Sequence, residues 1–458
     1  MLHQEPALQK NCRNHPMSDN HLSSPAGHRN SNILHWILAA FLALWASISM
    51  FQMVSNMRAP LGEHDFWIYW YTGLFVRQGQ DPYQAFLDGE RPAVPMSFTD
   101  GIATDLDDIL LPGMVPAPAN TFPLVFILSG FSFLTWETAK IVWFWVTLVL
   151  IAIIPWMTFG LLPRPERPDR HTLWLIALAF IGFSSTRFAA TIGQLTFLVF
   201  ALMLASVLTS RKHPVLAGLL LGLALSKYSL SLGFLFYFMF FERNPRLVLS
   251  ALGVQLTGIL ALAVISGSSL WTILDGYLSM LSLHADMEGV HLASLLPTGM
   301  DIPVAIILTL CAGIPLWIMN RKSPGVLSER SRFHFLVIIL LWNLLVAYHR
   351  AYDASTYVLF LTYLATLINQ PVQGTFSSRG RTILGWFALG TVLVWILPAG
   401  SLTRSLLPQQ IGPVVVRLTG YATTIVLLAS MAIGIVLLSR DANKMPPRQP
   451  SEEKFKGI

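Results

Sequence analysis

The sequence predicts an all-α polytopic membrane protein, and three observations support that prediction. Of the 458 residues, 54% are hydrophobic and only 12% are charged, whereas a soluble domain carries roughly 25% charged residues. The apolar residues form runs of about 15 to 25, long enough for helices that cross a hydrocarbon core about 30 Å thick. No alternating-strand pattern or short-period repeat is visible. A bundle of about 12 transmembrane helices is therefore expected.

The apolar residues fall into thirteen segments. They lie near 33–54, 121–136, 140–162, 173–189, 191–209, 214–226, 229–241, 246–266, 302–319, 333–348, 354–368, 382–397 and 418–438. The short run at 121–136 is a candidate for a re-entrant or surface hairpin. Residues 214–226 and 229–241 are also short and form either one long helix or a hairpin, and the basic residues on both flanks favour the hairpin.

The two chain ends differ from the membrane domain at 33–438. Residues 1–32 are polar and rich in His, Asn, Ser and Pro, which predicts a disordered cytoplasmic tail. The first apolar run is too long for a cleaved signal peptide and is typical of a retained signal anchor. Residues 439–458 form a second, basic cytoplasmic tail. The two cysteines lie far apart in the sequence and support neither a disulfide framework nor a thiolate metal site.

The distribution of basic residues predicts the orientation in a bacterial inner membrane. Of the 30 Lys and Arg residues, 21 lie in loops and tails that share one side, as the positive-inside rule requires of the cytoplasmic face. The net charge of +6 is thereby explained without a nucleic-acid partner. The extracytoplasmic side receives the remaining polar segments, namely the long loop 55–120, the corner 192–194, Lys227, the loop 267–301 and residues 348–353.

The densest polar and aromatic stretch, His64 to Gly73, follows the first span and is closed by Gly79 to Tyr83. Its aromatic density predicts a helix lying at the membrane interface. Asp65 opens that helix. Its carboxylate is either an N-cap that accepts hydrogen bonds from free backbone amides or a general base for an acceptor hydroxyl.

Two further candidates carry positive charge on the same predicted side. Lys227 stands between two half-length apolar segments, where an ammonium is either functional or snorkels to the headgroups. In the stretch Tyr348 to Asp353, Arg350 can clamp a phosphate and His349 can titrate near neutral pH. The alternative is an ordinary loop with an ion pair between Arg350 and Asp353.

Weaker candidates complete the set. A glutamine such as Gln194 inside an apolar stretch often only bonds to a neighbouring helix. The acidic run Asp105-Leu106-Asp107-Asp108 has oxygen ligands for a divalent cation, although such loops are usually only solvated. No P-loop, dinucleotide fingerprint or HExxH helix is present.

Together these motifs resemble those of glycosyltransferase family 87, a group of the GT-C superfamily that includes polyprenyl-phosphate-mannose-dependent mannosyltransferases. The resemblance spans about residues 33–370 and depends on the order of its motifs. These are Asp65-Phe66 with Tyr69 and Gly73, Gly79 to Tyr83, Pro123-Leu124, Trp143, Gly193-Gln194, and the glycine-containing helix Gly218 to Lys227.

The resemblance implies a GT-C-like bundle whose long first outer loop carries interfacial helices, and inverting transfer of a sugar from a polyprenyl-phosphate donor to a lipid or glycan acceptor. Asp65 would be the catalytic base and His349 a second proton carrier, and Lys227 and Arg350 would bind the donor phosphate. Substrate contacts are assigned to His64, Tyr69, Asp81, Tyr83, Gln194, Tyr348 and Asp353. No cofactor is required. The alternatives are a transporter or flippase of lipid-linked saccharide, or a non-enzymatic assembly factor.

Overall fold

The computed structural model describes residues 26–56, 65–90, 120–164, 167–285, 300–322, 329–347, 351–369, 378–396 and 412–444. Within these ranges the regular structure is helical and no strand occurs, as expected. The acidic run at 105–108 and most of the two predicted terminal tails lie outside the described residues. Residues 26–32 and 439–444 of these tails are described and are helical, so the helices extend beyond the predicted bounds of the membrane domain. The chain divides into two compact units, Met1–Phe41 and Leu42–Ile458, and the packing described below concerns the second unit.

The described helices are numbered in chain order. The first nine are α1 (Ala26–Asn56), α2 (Phe66–Arg77), α3 (Pro82–Leu87), α4 (Phe122–Ser129), α5 (Trp136–Gly160), α6 (Arg170–Gly182), α7 (Ser184–Thr191), α8 (Thr196–Thr209) and α9 (Pro214–Ala224). The others are α10 (Tyr228–Phe236), α11 (Pro245–Ser266), α12 (Leu270–Ala285), α13 (Asp301–Lys322), α14 (Glu329–Val346), α15 (Val358–Asn369), α16 (Ser378–Ile396) and α17 (Gly412–Lys444).

Several helices are long and apolar enough to cross a membrane. In the described ranges four segments qualify by length and composition, and these are His35–Ser55, Trp136–Gly160, Pro214–Phe241 and Pro245–Ser266. The helices α6 and α7, bent by 55° relative to each other, would form a fifth span if counted together. The chain is therefore a helical membrane protein. Other apolar runs contain helices too short for this criterion, such as α8 and α15.

Residues 214–241 form a hairpin, although their length and composition would also suit a single apolar span of 28 residues. Ser206 in α8 donates to the carbonyl of Ala217. Ser210, which directly follows α8, donates to the carboxylate of Glu242. In a straight helix Ala217 and Glu242 would stand about 37 Å apart. The chain therefore turns back between them, at Lys227, whose φ of −112° and ψ of 73° are not helical. These contacts support the hairpin rather than one long helix.

A half-buried ion pair stabilises the open end of this hairpin. Arg332, at the start of α14, places its Nε 2.5 Å from the carboxylate of Glu242 and donates to the carbonyl of Val207 at 2.8 Å. Tyr237 donates its hydroxyl to the same carboxylate at 2.6 Å. Because hydrogen bonds accompany both charges, the usual cost of burying an ion pair is offset.

Two glycines let α9 lie directly against α11. A Cβ atom at Gly222 would stand 2.6 Å from the Cβ of Val254 and 2.8 Å from the carbonyl oxygen of Ala251, and one at Gly218 would collide with the backbone of Leu247. Small residues four apart allow this close approach between membrane helices. The contacts also show that α9 and α11 start at the same end and run in parallel.

The segment 121–136 does not cross the bundle. It contains α4, of only eight residues, and a 3₁₀ turn, Gly130–Phe133. At its start the backbone N–H of Thr121 bonds to the carbonyl of Ser226 beside the hairpin tip, at 2.9 Å. At its end the indole of Trp70 donates to Leu134 at 3.0 Å. The start of the segment therefore lies beside the hairpin tip and its end beside α2, and its re-entrant or surface position in a membrane stays a prediction.

The helix termini fall into two groups. The start of α6 meets the end of α15, where Asn369 donates to Thr172 at 2.9 Å, and the end of α8 meets the open end of the hairpin and the start of α14. Among the described residues, the basic side chains Arg211, Lys212, Arg243, Arg246 and Arg332 lie at this end, which we name the basic end. Asp65, Gln194 and Lys227 lie at the opposite end, which we name the site end. These three candidates are thus separated from that group of basic residues, and the orientation in a membrane stays a prediction.

Candidate active site

The carboxylate of Asp65 is held by Gln194. Asp65 precedes α2 with helical φ and ψ of −63° and −24°, and its side chain makes no capping hydrogen bond. Instead the amide of Gln194 donates to its Oδ2 atom. Of the two interpretations of Asp65, the N-cap is therefore not observed.

The corner at Gly193 positions Gln194 against α2. The N–H of Phe66 bonds to the carbonyl of Ile192 at 3.2 Å, and the indole of Trp143 donates to the carbonyl of Gly193 at 2.9 Å. Gly193 has a φ of +69°, and a Cβ there would stand 2.7 Å from the Cβ of Phe66. A glycine is required at this position because of both its backbone conformation and the lack of space.

The aromatic residues of α2 pack inside the protein. Phe66 lies parallel to the ring of Trp143 with centroids 4.9 Å apart, and Trp67, Tyr69, Trp70 and Tyr71 are also buried. These rings predict a helix at the membrane interface, and the depth of that helix in a membrane stays a prediction. Helix α2 buries the rings against α4 and α5, because the segment 121–136 covers it.

Lys227 and Asp353 form a buried ion pair. The ammonium of Lys227 lies 2.5 Å from Oδ1 of Asp353, and the two side chains are 11% and 3% exposed. The same ammonium donates to the hydroxyl of Thr196 at 2.9 Å, and that hydroxyl donates to Asp353 at 2.6 Å. The ring of Tyr352 lies 4.8 Å from the ammonium. Lys227 is thus held inside the protein and does not snorkel to the headgroups.

One short segment joins the two charged groups. Gln194 contacts Asp65, and Thr196, two residues further on, contacts both Lys227 and Asp353. Because this segment is itself held to α2 and α5 by hydrogen bonds, the positions of the carboxylate and the ion pair are coupled. The structure therefore brings Asp65, Gln194, Lys227 and Asp353 into one site.

Tyr69 and Tyr83 lie beside this site and share Asn120. The amide of Asn120 donates to the hydroxyl of Tyr69 at 2.8 Å, and its carbonyl accepts from Tyr83 at 2.7 Å. Asp81 caps α3 by accepting from the N–H of Tyr83 at 3.0 Å. Burial raises the pKa of Asp81 above its ordinary value, and its other oxygen has no hydrogen-bond partner among the described residues. The substrate contacts assigned to these side chains stay predictions.

Four of the predicted site residues lie outside the described residues, namely His64, Tyr348, His349 and Arg350, and so does the acidic run at 105–108. In the part of the chain that the structure describes, no group of three or more His, Cys, Asp or Glu residues could hold a metal ion. Thr196 and Asn120 were not predicted from the sequence. Asp353 contacts Lys227, and its alternative pairing with Arg350 stays a prediction because Arg350 lies outside the described residues.

The fold defines a polytopic helical membrane protein. At one end of it, the segment Gln194 to Thr196 contacts both the carboxylate of Asp65 and the ammonium of Lys227. A family model, Glycosyltransferase family 87, matches residues 121–369. The chain belongs to glycosyltransferase family 87, and it is accordingly a glycosyltransferase rather than a transporter or an assembly factor. Asp65 lies outside the matched range, whereas Gln194, Lys227 and Asp353 lie within it. The searches of curated proteins and of solved structures gave no match.

Proposed function

We propose that the protein transfers a sugar, a mannose-like hexose, from a polyprenyl-phosphate donor to a lipid or glycan acceptor with inversion at the anomeric carbon. One observation supports this proposal above the others. The segment Gln194 to Thr196 binds the carboxylate of Asp65 at one residue and the Lys227–Asp353 pair at another. An acid–base group and a cation are thus held at fixed positions. Sugar transfer with a phosphate leaving group requires such an arrangement.

The chemistry needs only residues of this chain. The Asp65 carboxylate accepts the proton of the acceptor hydroxyl, whose oxygen attacks the anomeric carbon. The bond between that carbon and the donor phosphate breaks, and the phosphate keeps the electron pair. Lys227 stabilises the charge that develops on the phosphate, since its ammonium donates to Thr196 and Asp353 and its third N–H has no acceptor among the described residues. Arg350 and His349 are proposed to assist.

We further propose that the site end faces the extracytoplasmic side of a bacterial inner membrane and that about 12 helices cross the bilayer. The grouping of basic loops at the opposite end supports this orientation through the positive-inside rule. A donor carried by a membrane lipid would then reach the site within the bilayer. No nucleotide-binding motif is needed for such a donor.

The proposal is tested with purified wild type and Asp65→Asn. Asparagine keeps the size of the side chain and an oxygen that accepts from Gln194, but it is not a base. We expect sugar transfer from synthetic polyprenyl-phosphate mannose, followed by mass spectrometry, to fall about 100-fold to 10,000-fold with an unchanged melting temperature. Asp88→Asn, at an exposed carboxylate after α3, is the matched control and should transfer normally.

Two outcomes would contradict the proposal. Equal transfer rates for the wild type and Asp65→Asn would remove Asp65 from the mechanism. A wild type that accepts only nucleotide sugars would exclude the polyprenyl-phosphate donor, although the chain would still be a glycosyltransferase.

A further inference from the structure

Arg187 is an arginine in the middle of an apolar run that the mechanism does not use. It lies in α7, which together with α6 is apolar enough to form a span. Its guanidinium donates through Nη1 to the side-chain oxygen of Gln52 in α1, at 2.7 Å. Among the described residues no carboxylate lies within ion-pair distance of it. A neutral amide therefore faces a full positive charge.

The surroundings of this pair are apolar. Phe51 and Val54 in α1 are 73% and 47% exposed, and Phe188 in α7 is 44% exposed. These side chains flank Gln52 and Arg187 on the outside of the helices, where a membrane protein meets lipid. A cation at such a position is costly unless an anion or water compensates it.

Gln52 and Arg187 lie at similar distances from the ends of their helices. Gln52 is four residues before the end of α1 at Asn56, and Arg187 is four residues before the end of α7 at Thr191. At 1.5 Å per residue both lie about 6 Å below the ends of their helices. The interfacial layer on each side of the hydrocarbon core is of similar thickness.

We propose that Arg187 and Gln52 bind the phosphate of a membrane lipid at the site end. The planar guanidinium has further N–H donors, which can hold two phosphate oxygens at once. Thr191, one turn along the same face of α7, has a buried hydroxyl with no partner in the described part of the chain and can add a third contact. The phosphate belongs either to a phospholipid or to a polyprenyl carrier.

This proposal does not depend on the sugar donor, because it concerns lipid binding without transfer. Purified protein in detergent is titrated with undecaprenyl monophosphate, with phosphatidylglycerol or with diacylglycerol, which lacks a phosphate. Binding is measured by native mass spectrometry and by thermal shift. We expect at least one phosphate lipid to bind the wild type and diacylglycerol not to bind. The phosphate lipid that binds more tightly shows whether the site takes a phospholipid or a polyprenyl carrier.

Two substitutions then test the residues. Arg187→Gln should weaken binding of the phosphate lipid about tenfold or more, as expected for the loss of a charge-assisted hydrogen bond. Gln52→Glu should weaken it similarly without lowering the melting temperature, since the new carboxylate would pair with Arg187 in place of the lipid. Arg246→Gln, which removes an exposed arginine at the basic end, is the matched control and should bind as the wild type does.

The measurements can overturn the proposal directly. If diacylglycerol binds as tightly as the phosphate lipids, or if none of the three binds, there is no phosphate site. If Arg187→Gln and Gln52→Glu both bind phosphate lipid with wild-type affinity, Arg187 is merely solvated at the interface.

Discussion

At the level of single residues, the buried ammonium of Lys227 has both a structural and a chemical role. Asp353 neutralises it at 2.5 Å, and the hydroxyl of Thr196 bonds to both groups. A buried ion pair of this kind contributes little net stability, but removing one partner leaves an uncompensated charge. Only a variant that changes both Lys227 and Asp353 therefore separates the structural role of the ion pair from phosphate binding.

We expect Asp353→Asn to destabilise the protein by about 3–5 kcal/mol, because it leaves the ammonium of Lys227 buried without its counter-charge. The double variant Lys227→Met with Asp353→Leu should recover much of that stability, since it removes both charges and fills a similar volume. Transfer should nevertheless stay near zero in the double variant if Lys227 holds the donor phosphate. Melting temperature and transfer rate are measured for both proteins. A double variant that regains transfer would make Lys227 purely structural.

Local sequence identified the unusual residues of the site but not their partners. Asp65, Gln194 and Lys227 stand out because charged and amide side chains are rare beside apolar runs. Thr196 does not stand out, since its hydroxyl is common in membrane helices. The contact between Asp353 and Lys227 could not be predicted locally, because the two residues are 126 positions apart in the sequence.

At the level of elements, the hairpin at 214–241 shows where sequence patterns stop being decisive. Composition and length are compatible with one span of 28 residues, and only the basic flanks favoured two arms. The contacts that decide between them join Ser206 to Ala217 and Ser210 to Glu242. These are tertiary contacts between helices, which no local pattern encodes. Once formed, the hairpin places Lys227 at its tip and therefore in the site.

The parallel packing of α9 on α11 makes a prediction about its glycines. Gly222→Ala adds a Cβ that would stand 2.6 Å from Val254 and 2.8 Å from a backbone oxygen, so the helices must separate. We expect a loss of about 1–3 kcal/mol, the usual cost of overpacking, seen as a lower melting temperature. Gly253→Ala in α11 is the control, because no atom lies within 4 Å of its added Cβ. Equal effects of the two substitutions on the melting temperature would show that the close approach of α9 and α11 does not contribute to stability.

At the level of the whole molecule, the distribution of charge and the aromatic pattern predicted different features. Arg332, one of the basic residues assigned to one face by composition, lies at the end of the bundle opposite to Lys227. The density of aromatic rings in α2 is compatible both with an interfacial helix and with a buried one. The difference depends on the segment 121–136 that covers α2, since Trp70 bonds to Leu134 across 64 residues of sequence.

The two ends of the molecule should be accessible from opposite sides of the membrane. After Cys12 and Cys311 are replaced by serine, single cysteines are introduced at Ser269, in the exposed link between α11 and α12, and at His213, in the exposed link between α8 and α9. We expect an impermeant thiol reagent to label Ser269→Cys in intact spheroplasts, whose inner membrane is sealed. His213→Cys should be labelled only after that membrane is opened, because the basic end faces the cytoplasm. Labelling of His213→Cys in sealed spheroplasts would reverse the orientation, and the donor phosphate would then have to be supplied from the cytoplasmic leaflet.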